Sequence, residues 1–261
     1  MKILFVGDVV GRSGRDKLIA TLPMIAQEYA PDAVIVNGEN AAHGFGMTPA
    51  ICRDFFAAGV DILTAGDHVW DQKDLTPYLS QEPRVLRPHN FPSSNPGKGY
   101  VEHSAVNGRK ILIIHLLGQV FHKENLDCPF ACVDSILASY HLGGNVDAIF
   151  VDMHAEATAE KCAMGQYLDG RVSGMIGSHT HIPTADGRVL TKGTAYLTDG
   201  GMCGDYDSVI GFASDGAIKR FLTKNKKCRM ETATGEATLW AHLIATDDKT
   251  GLAKDISTIK Y

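Results

Sequence analysis

The chain has 261 residues, of which 44% are hydrophobic and 21% charged, a composition typical of a globular protein with a sizeable core. Its net charge of −5 and its pI near 6.1 exclude a general electrostatic attraction to nucleic acid or to anionic membranes. No apolar run approaches the roughly 18 residues of a membrane helix, and neither a signal peptide nor a disulfide-like cysteine spacing is recognised, so we expect a reduced, cytoplasmic protein.

Apolar runs and helical spacings alternate along the first two thirds of the chain. Segment 7–15 fits neither a dinucleotide fingerprint nor a P-loop, so we interpret it as a glycine-rich turn. Thr48 and Pro49 suit a helix N-cap and first helical position, and Pro23 predicts a kink in the preceding helix. The stretch 72–99, rich in Pro and Asn, is predicted to loop over the surface. The predicted strands are 2–6, 33–36, 60–64, 110–115, 148–151 and 172–176, and the predicted helices are 18–29, 48–59, 130–140 and 158–168.

The last part of the chain has a different pattern. Residues 187–198 predict two short strands, and 217–261 alternate between apolar and polar residues with turn signals at 234–235 and 250–251. We expect residues 217–261 to form antiparallel strands that flank the sheet. Because no linker-like shift or repeat interrupts the chain, we predict a single α/β domain over residues 1–261, a sandwich with a mixed sheet.

Ligand-type side chains follow five of the predicted strands, and in open α/β sheets ligands bind beside the carboxyl ends of the strands. Each position alone has an ordinary structural explanation. Asp8 suits a helix cap, Glu39 a polar turn, Asp67 an Asx-turn, His154 a hydrogen-bonded strand end, and the His-x-His pair at 179–181 a surface loop. Five such coincidences at equivalent positions are less probable than one shared site, so we favour the site.

The residue types of this set indicate which metals it suits. Imidazole and carboxylate together suit iron, manganese or zinc better than calcium, and the absence of cysteine near the strand ends argues against a thiolate zinc site. The seven candidates exceed what one ion normally takes, whereas two ions about 3.5–4 Å apart, bridged by one carboxylate, would use them all. The candidates are Asp8, Glu39, Asp67, His68, His154, His179 and His181.

The motifs around these residues resemble those of a known superfamily. Gly7-Asp8, Asn37-Gly38-Glu39-Asn40, Gly66-Asp67-His68, His154 and Gly177-Ser178-His179-Thr180-His181 are similar, in order, to the motifs of calcineurin-like metallophosphoesterases. More narrowly, segments 38–46, 154–158 and 179–186 resemble the YmdB-like bacterial phosphodiesterases. The resemblance covers nearly the whole chain and loosens towards its C-terminal end.

The resemblance implies a calcineurin-like metallophosphoesterase fold, an αββα sandwich with mixed sheets. It also implies two metal ions, iron or manganese, and phosphodiester substrates that include 2′,3′- and 3′,5′-cyclic nucleotides. Glu39 is the implied bridge between the ions, and His68 is a non-ligand near the leaving group. The metal ligands carried over by position are Asp8, Glu39, Asn40, Asp67, His154, His179 and His181.

Two positions depart from the superfamily pattern. Val10 stands where the superfamily usually has a histidine, and the YmdB-like subgroup also lacks that histidine. Asp67 stands where both groups normally have asparagine. A carboxylate at 67 can still bind metal through oxygen, but its extra negative charge is predicted to make the bridging water less acidic and to weaken the binding of an anionic substrate.

Our leading hypothesis is hydrolysis of a phosphodiester by attack of a metal-bridging hydroxide, with His68 donating a proton to the departing oxygen. Three alternatives stay open. One is a metal-binding regulatory protein with little catalysis, which Asp67 motivates, and another is a phosphomonoesterase or nuclease of the same superfamily. The third, a metal-dependent amidohydrolase, is least favoured because the His-x-His pair of that family follows its first strand.

The remaining polar residues are less informative. Glu156 and Thr158 are predicted to orient the loop at His154. We expect a small phosphodiester partner such as a cyclic nucleotide, and neither a membrane nor a nucleic-acid track; the physiological substrate, the metals and a homo-oligomeric state stay open. The other histidines are interpreted as surface or packing residues, with His43 also a candidate substrate contact: His43, His89, His103, His115, His122, His141 and His242.

Overall fold

The computed structural model describes residues 1–105, 107–225 and 228–261. Its helices are α1 (Gly11–Tyr29), α2 (Pro49–Ala57), α3 (Leu75–Leu79), α4 (Pro129–Leu137), α5 (Thr158–Leu168) and α6 (Ser214–Thr223), and a short 3-10 helix covers Asp67–Trp70. Its strands are β1 (Lys2–Val6), β2 (Asp8–Val9), β3 (Ala33–Asn37), β4 (Ile62–Thr64), β5 (Val85–Leu86), β6 (Tyr100–Ser104), β7 (Lys110–Leu117), β8 (Ala148–His154), β9 (Gly174–Ser178), β10 (Arg188–Val189), β11 (Ala195–Leu197), β12 (Met202–Asp205), β13 (Ala237–Thr246) and β14 (Ala253–Lys260).

The strands form two mixed sheets. Over the described ranges, the first sheet has eight strands in the order β2-β12-β13-β1-β3-β4-β5, with β14 paired to β13, and the second has six in the order β10-β11-β9-β8-β7-β6. Pairing is parallel from β1 through β3 and β4 to β5, and from β7 through β8 and β9 to β11. Each sheet therefore aligns the carboxyl ends of several strands.

Alternation along the strands creates the layers, because successive side chains of a strand point to opposite faces. Ile3 and Phe5 of β1 belong to the core between the two sheets, where the rings of Phe5 and Phe150 lie 5.3 Å apart. Leu4 and Val6 of the same strand face the opposite way and pack beneath helices.

Helices cover the outer face of each sheet. Leu18 and Leu22 of α1 share a buried core with Leu4, whereas Val133 of α4 and Met164 of α5 pack on the second sheet. The predicted αββα sandwich with mixed sheets is thereby confirmed. Within the described chain, no helix is long and apolar enough to cross a membrane.

Several predicted elements have different bounds. The turn interpreted at 7–15 is wrong in its second half, because α1 begins at Gly11. Position 14 of this helix requires glycine because a Cβ there would stand 2.2 Å from the carbonyl oxygen of Cys203 in β12. The stretch 72–99 also contains α3 and β5, and β6 follows it.

The tail differs from its prediction in two ways. Residues 214–223 form α6, with Asp215 in the first turn and Arg220 in the last, as the helix dipole favours. Strand β13 lies inside the first sheet, between β12 and β1, and its residues are therefore largely buried on both faces. The antiparallel pairing of β13 with β14 is confirmed.

Candidate metal centre

The ligand-type side chains meet where strands of both sheets end. Three come after β1, β3 and β4 of the first sheet, and the others come at or after β8 and β9 of the second. Each of the two sheets therefore contributes part of the set. The site lies across the top of the sandwich, and the two sheets supply it from opposite sides.

One set of potential ligands, which we call the His154 group, consists of Glu39, Asp67, His154 and His179. One ligand atom from each lies within 4.8 Å of the others. The Nε2 atom of His154 is 3.0 Å from Glu39 Oε2, 3.1 Å from Asp67 Oδ1 and 3.0 Å from His179 Nδ1. A cation at the centre of this group would meet two carboxylate oxygens and two imidazole nitrogens.

Hydrogen bonds at Nδ1 of His154, on the side of the ring away from the group, fix its orientation. The Ser178 hydroxyl donates to Asp152 Oδ1 at 2.6 Å, so its oxygen accepts from His154 Nδ1 at 2.8 Å. This network assigns the ring proton to Nδ1 and turns the Nε2 lone pair towards the group. Asp152 stays ionised although it is buried: burial would raise its pKa, but His115 and the surrounding donors lower it to about 2.

His179 is oriented in the same manner. Its Nε2 lies 3.0 Å from the carboxylate of Glu156, which can only accept, so Nδ1 carries the lone pair. That lone pair faces His154 Nε2 at 3.0 Å. Burial would lower the pKa of His154, but Glu39 and Asp67 raise it well above its ordinary value. The group therefore favours a positive charge at its centre.

The second set, which we call the His181 group, consists of Asp8, Glu39, Asn40 and His181. Ligand atoms of Asp8, Glu39 and His181 lie within 4.8 Å of one another. His181 Nδ1 donates to the carbonyl of Ile210 at 2.7 Å, so its Nε2 is an acceptor, yet it lies 3.1 Å from Asn40 Oδ1. Exchanging the oxygen and nitrogen of the Asn40 amide would break the hydrogen bond that its Nδ2 donates to Gly44 O at 3.0 Å. Two acceptors therefore face each other, as ligands of one cation do.

Unpaired oxygen atoms give an independent test of the fit. Asp8 Oδ1 and Glu39 Oε2 are buried and, among the described residues, have no hydrogen-bond partner. A buried carboxylate oxygen without a donor is costly unless it binds a metal. Glu39 belongs to both groups, and the donor set of oxygen and imidazole nitrogen fits hard or borderline metal ions.

Backbone strain accompanies the His-x-His segment. His179 and His181 have φ angles of +99° and +66°, in a region that non-glycine residues rarely adopt. Asp199 holds the intervening residue, since its Oδ2 accepts from Thr180 N at 3.1 Å and from Thr180 Oγ1 at 2.7 Å. The same oxygen accepts from the buried Lys161 ammonium at 2.7 Å, and both side chains are only 1% exposed.

Removing the ammonium should show what this pair contributes. Lys161→Met leaves the Asp199 carboxylate buried and unpaired, so we expect the free energy of unfolding to fall by ~3–5 kcal/mol. The loosened His-x-His segment should also weaken Mn²⁺ binding by ~10–100-fold. Chemical denaturation and a metal titration measure the two effects. The matched control is Lys161→Met with Asp199→Asn, which removes both charges and should recover part of the stability; unchanged stability in the single variant would contradict this role.

His68 stands beside the two groups and belongs to neither. Its Nδ1 pairs with Asp71 Oδ2 at 2.8 Å, and Phe45 packs edge-on against its ring at 5.0 Å. Burial lowers the pKa of His68, but Glu39, Asp67 and Asp71 outweigh burial and raise it. The imidazole lines a cavity together with Glu39 and His181, and a raised pKa suits such a ring to proton donation.

Gly66, immediately before Asp67, shows why the segment needs glycine. Its φ is +52°, and a Cβ there would stand 1.6 Å from Glu39 Oε2. Any side chain would therefore displace the carboxylate shared by the two groups. The sequence Gly66-Asp67-His68 thus brings Asp67 and His68 past Glu39 without a clash.

The structure brings the seven ligand candidates into one centre with His68 beside it, and their role as ligands stays a prediction: Asp8, Glu39, Asn40, Asp67, His154, His179 and His181. His43 instead lies by a separate cavity with residues 229–232. Sequence reasoning missed Asp152 and Ser178, although Asp152 stands two residues before His154 in a strand and so shares its face. It also assigned His122 to surface or packing, whereas the ring lies 5.1 Å from that of His179.

Comparison with known proteins agrees with this geometry. Residues 4–259 match the family model described as YmdB-like protein. The chain belongs to the YmdB-like family. A 2′,3′-cyclic-nucleotide 2′-phosphodiesterase of Bacillus subtilis is 44% identical over 259 residues, which are 99% of this chain and 96% of that protein. The family resemblance drawn from the motifs is confirmed.

Solved structures of similar size share the fold. A hypothetical protein of Thermus thermophilus has a TM-score of 0.92 and 39% identity, covering 100% of this chain and 99% of its own. A phosphatase of Mycoplasma pneumoniae, described as novel, has a TM-score of 0.92 and 33% identity, covering 100% of this chain and 93% of its own. The whole αββα sandwich is therefore shared.

Proposed function

We propose that this protein is a metal-dependent phosphodiesterase that hydrolyses cyclic nucleotides, with 2′,3′-cyclic nucleotides as the first candidates and 3′,5′-cyclic nucleotides as the second. One observation carries the proposal: in both groups, hydrogen-bond acceptor atoms face each other with no donor between them, and one oxygen each of Asp8 and Glu39 is unpaired among the described residues. Bound cations would relieve both groups at once. The name of the Bacillus subtilis relative supports the 2′,3′ substrate.

The proposed residue roles follow from the contacts. Asp8, Glu39, Asn40, Asp67, His154, His179 and His181 would hold two ions, with Glu39 between them. Iron or manganese suits this oxygen and nitrogen donor set. When bound, such ions lower the pKa of water and offset the negative charge that develops on the phosphoryl oxygens.

The remaining chemistry belongs to the protein. Water adds to phosphorus opposite the departing ribose oxygen, the bond between phosphorus and O2′ breaks, and a nucleoside 3′-monophosphate is released. His68 gives the departing O2′ its proton, and Asp71, 2.8 Å from Nδ1, orients the ring so that Nε2 faces the cavity. The network of Ser178 and Asp152 keeps His154 in the tautomer that the site requires.

The proposal is tested by metal analysis combined with a substrate screen. Protein reconstituted with Mn²⁺ or Fe²⁺ should contain about two ions per chain and should hydrolyse 2′,3′-cyclic AMP, with 3′,5′-cyclic AMP and a phosphomonoester compared at equal concentration. Preference for the monoester would favour the phosphatase alternative. Stoichiometric metal without turnover of any phosphate ester would favour the regulatory alternative.

The charge of Asp67 should affect the kcat/KM of such an enzyme, since asparagine would remove one negative charge from the His154 group. We expect Asp67→Asn to lower KM for a cyclic nucleotide by ~5- to 30-fold, as ~1–2 kcal/mol of screened repulsion predicts. The acidic limb of the kcat/KM profile should move to lower pH. Glu236→Gln is the matched control, because it removes an exposed carboxylate from a separate cavity that Arg12 also lines. Loss of bound metal in Asp67→Asn would instead mean that the charge is needed.

A further inference from the structure

Phe121 has two unfavourable features at once. Its φ is +69°, a left-handed conformation that costs a non-glycine residue ~1–3 kcal/mol. Its side chain is also 82% exposed, although a phenyl ring gains free energy when it is buried. Neither feature stabilises the isolated protein, whereas burial of the ring by a ligand would offset the cost of the backbone conformation.

Hydrogen bonds made by residues 118–120 impose the backbone conformation at Phe121. Gly118 N donates to the carbonyl of His154 at 2.8 Å, which ties the segment to the candidate metal centre. The amides of Gln119 and Val120 donate to the carboxylate of Glu160 at 2.9 and 3.2 Å. The Gln119 side chain reaches forward to Leu126 O at 2.8 Å, closing the loop in which Phe121 stands. The fold therefore positions the ring at a defined place.

That place is the rim of a 630 Å³ cavity, which we call the Phe121 cavity. Asp67 and His179 of the His154 group line it, together with Phe121, His122 and Lys123. Its volume falls within the ~300–1,000 Å³ typical of small-molecule sites. The other cavity at the centre, which His68 lines, measures only 260 Å³.

His122 adds a polar group to this cavity. Its side chain is only 5% exposed, and its Nε2 is buried and, over the residues described, without a hydrogen-bond partner. The ring lies 5.1 Å from that of His179 and lines the cavity together with it. A buried ring nitrogen without a partner is suited to a ligand hydrogen bond.

We propose that the Phe121 cavity is the nucleoside subsite, in which the base stacks on Phe121 and His122 hydrogen-bonds the nucleoside. The inference rests on the proposed function, because the phosphate must lie at the metal centre for the base to reach this cavity. Phe45, at the smaller cavity, is already packed against His68 and Phe212, whereas Phe121 stands exposed. A stacking platform tolerates any base, so we expect little preference among the four nucleobases.

The first test compares two cyclic diesters, 2′,3′-cyclic AMP and glycerol 1,2-cyclic phosphate, which has the same phosphate ring and no base. Loss of a stacked base costs ~1–3 kcal/mol, so Phe121→Ala should raise KM for cyclic AMP by ~5- to 150-fold and leave kcat within about twofold. KM for the glycerol diester should not change. The matched control is Phe221→Ala, which removes a phenyl ring that is 78% exposed on α6, outside the cavities at the centre.

The second test measures binding without turnover. Phe121→Trp should restore KM for cyclic AMP, and in metal-reconstituted protein its emission, above that of wild type, should be quenched by adenosine 3′-monophosphate and not by glycerol phosphate. Equal KM changes for both diesters in Phe121→Ala, no change for either, or no quenching would overturn the subsite. If wild type with metal hydrolysed neither diester, the proposed function would fail, while the quenching titration would still decide the subsite.

Discussion

Asp8→Asn is expected to stabilise the metal-free protein and, at the same time, to remove its activity. The residue is fully buried, and burial raises the pKa of its carboxyl group from 3.8 to about 6, with Glu39 adding repulsion and His181 opposing it. Oδ2 accepts from the backbone N–H of His179 at 3.2 Å, whereas Oδ1 has no partner in the described chain. Asparagine keeps the acceptor and replaces the unpaired oxygen with a donor.

The sign of the pH dependence follows from linkage. Between about pH 4 and pH 6 the unfolded chain has lost the Asp8 proton and the folded chain still holds it, so the free energy of unfolding falls as pH rises. Above pH 6 the full penalty, on the order of 2–3 kcal/mol, remains. Asp8→Asn removes this penalty, so its metal-free form should unfold at a higher temperature than wild type at pH 7, and the difference should disappear near pH 4.

Function should change in the opposite direction. Loss of one oxygen ligand should lower kcat/KM by more than the ~10–100-fold that the loss of an outer hydrogen-bond partner costs. Metal content is measured by mass spectrometry after dialysis, and unfolding by calorimetry with and without chelator. Asp205→Asn is the matched control, because its carboxylate is also buried but accepts from the amides of Asp207 and Gly235. That variant should keep its activity and lose stability; a fully active Asp8→Asn would refute the ligand role.

The layer architecture was predictable because it depends on local patterns. A strand such as Lys2–Val6 is read from its apolar run, and the Thr48 cap from its residue type, with the hydroxyl accepting from Ile51 N as expected. Sheet membership was not predictable. Which strands pair depends on contacts between distant parts of the chain, such as β13 with β1, and alternating tail residues carry no sign of the partner.

The candidate centre was predictable to a greater extent than its supports. The ligand candidates are visible in the sequence because Asp, Glu and His residues directly follow predicted strands. Asp199 and Lys161, in contrast, form a pair only after folding brings residues 38 positions apart into contact. The conformation of Phe121 is still less visible, since a positive φ at a phenylalanine follows from hydrogen bonds made by its neighbours. Residue types predict chemistry, and backbone hydrogen bonds decide where that chemistry is presented.

His68→Ala should lower kcat for a 2′,3′-cyclic nucleotide by ~10²–10⁴-fold, the usual contribution of general acid catalysis. The departing ribose alkoxide is strongly basic and needs a proton as the bond to phosphorus breaks. His68 lies outside both ligand groups, so metal content should match that of wild type. His43→Ala is the matched control, because that imidazole belongs to a separate cavity and its loss should leave kcat unchanged.

Dependence on the leaving group distinguishes proton donation from a purely structural role. A p-nitrophenolate leaves without protonation, so His68→Ala should retain much more activity on a p-nitrophenyl diester than on the cyclic nucleotide. Damage to the site would lower both rates equally. Asp71→Asn should produce the same selectivity with a smaller loss, because it removes the carboxylate that pairs with His68 Nδ1 at 2.8 Å and leaves the proton donor in place. Full activity of His68→Ala on the cyclic nucleotide would exclude His68 as the acid.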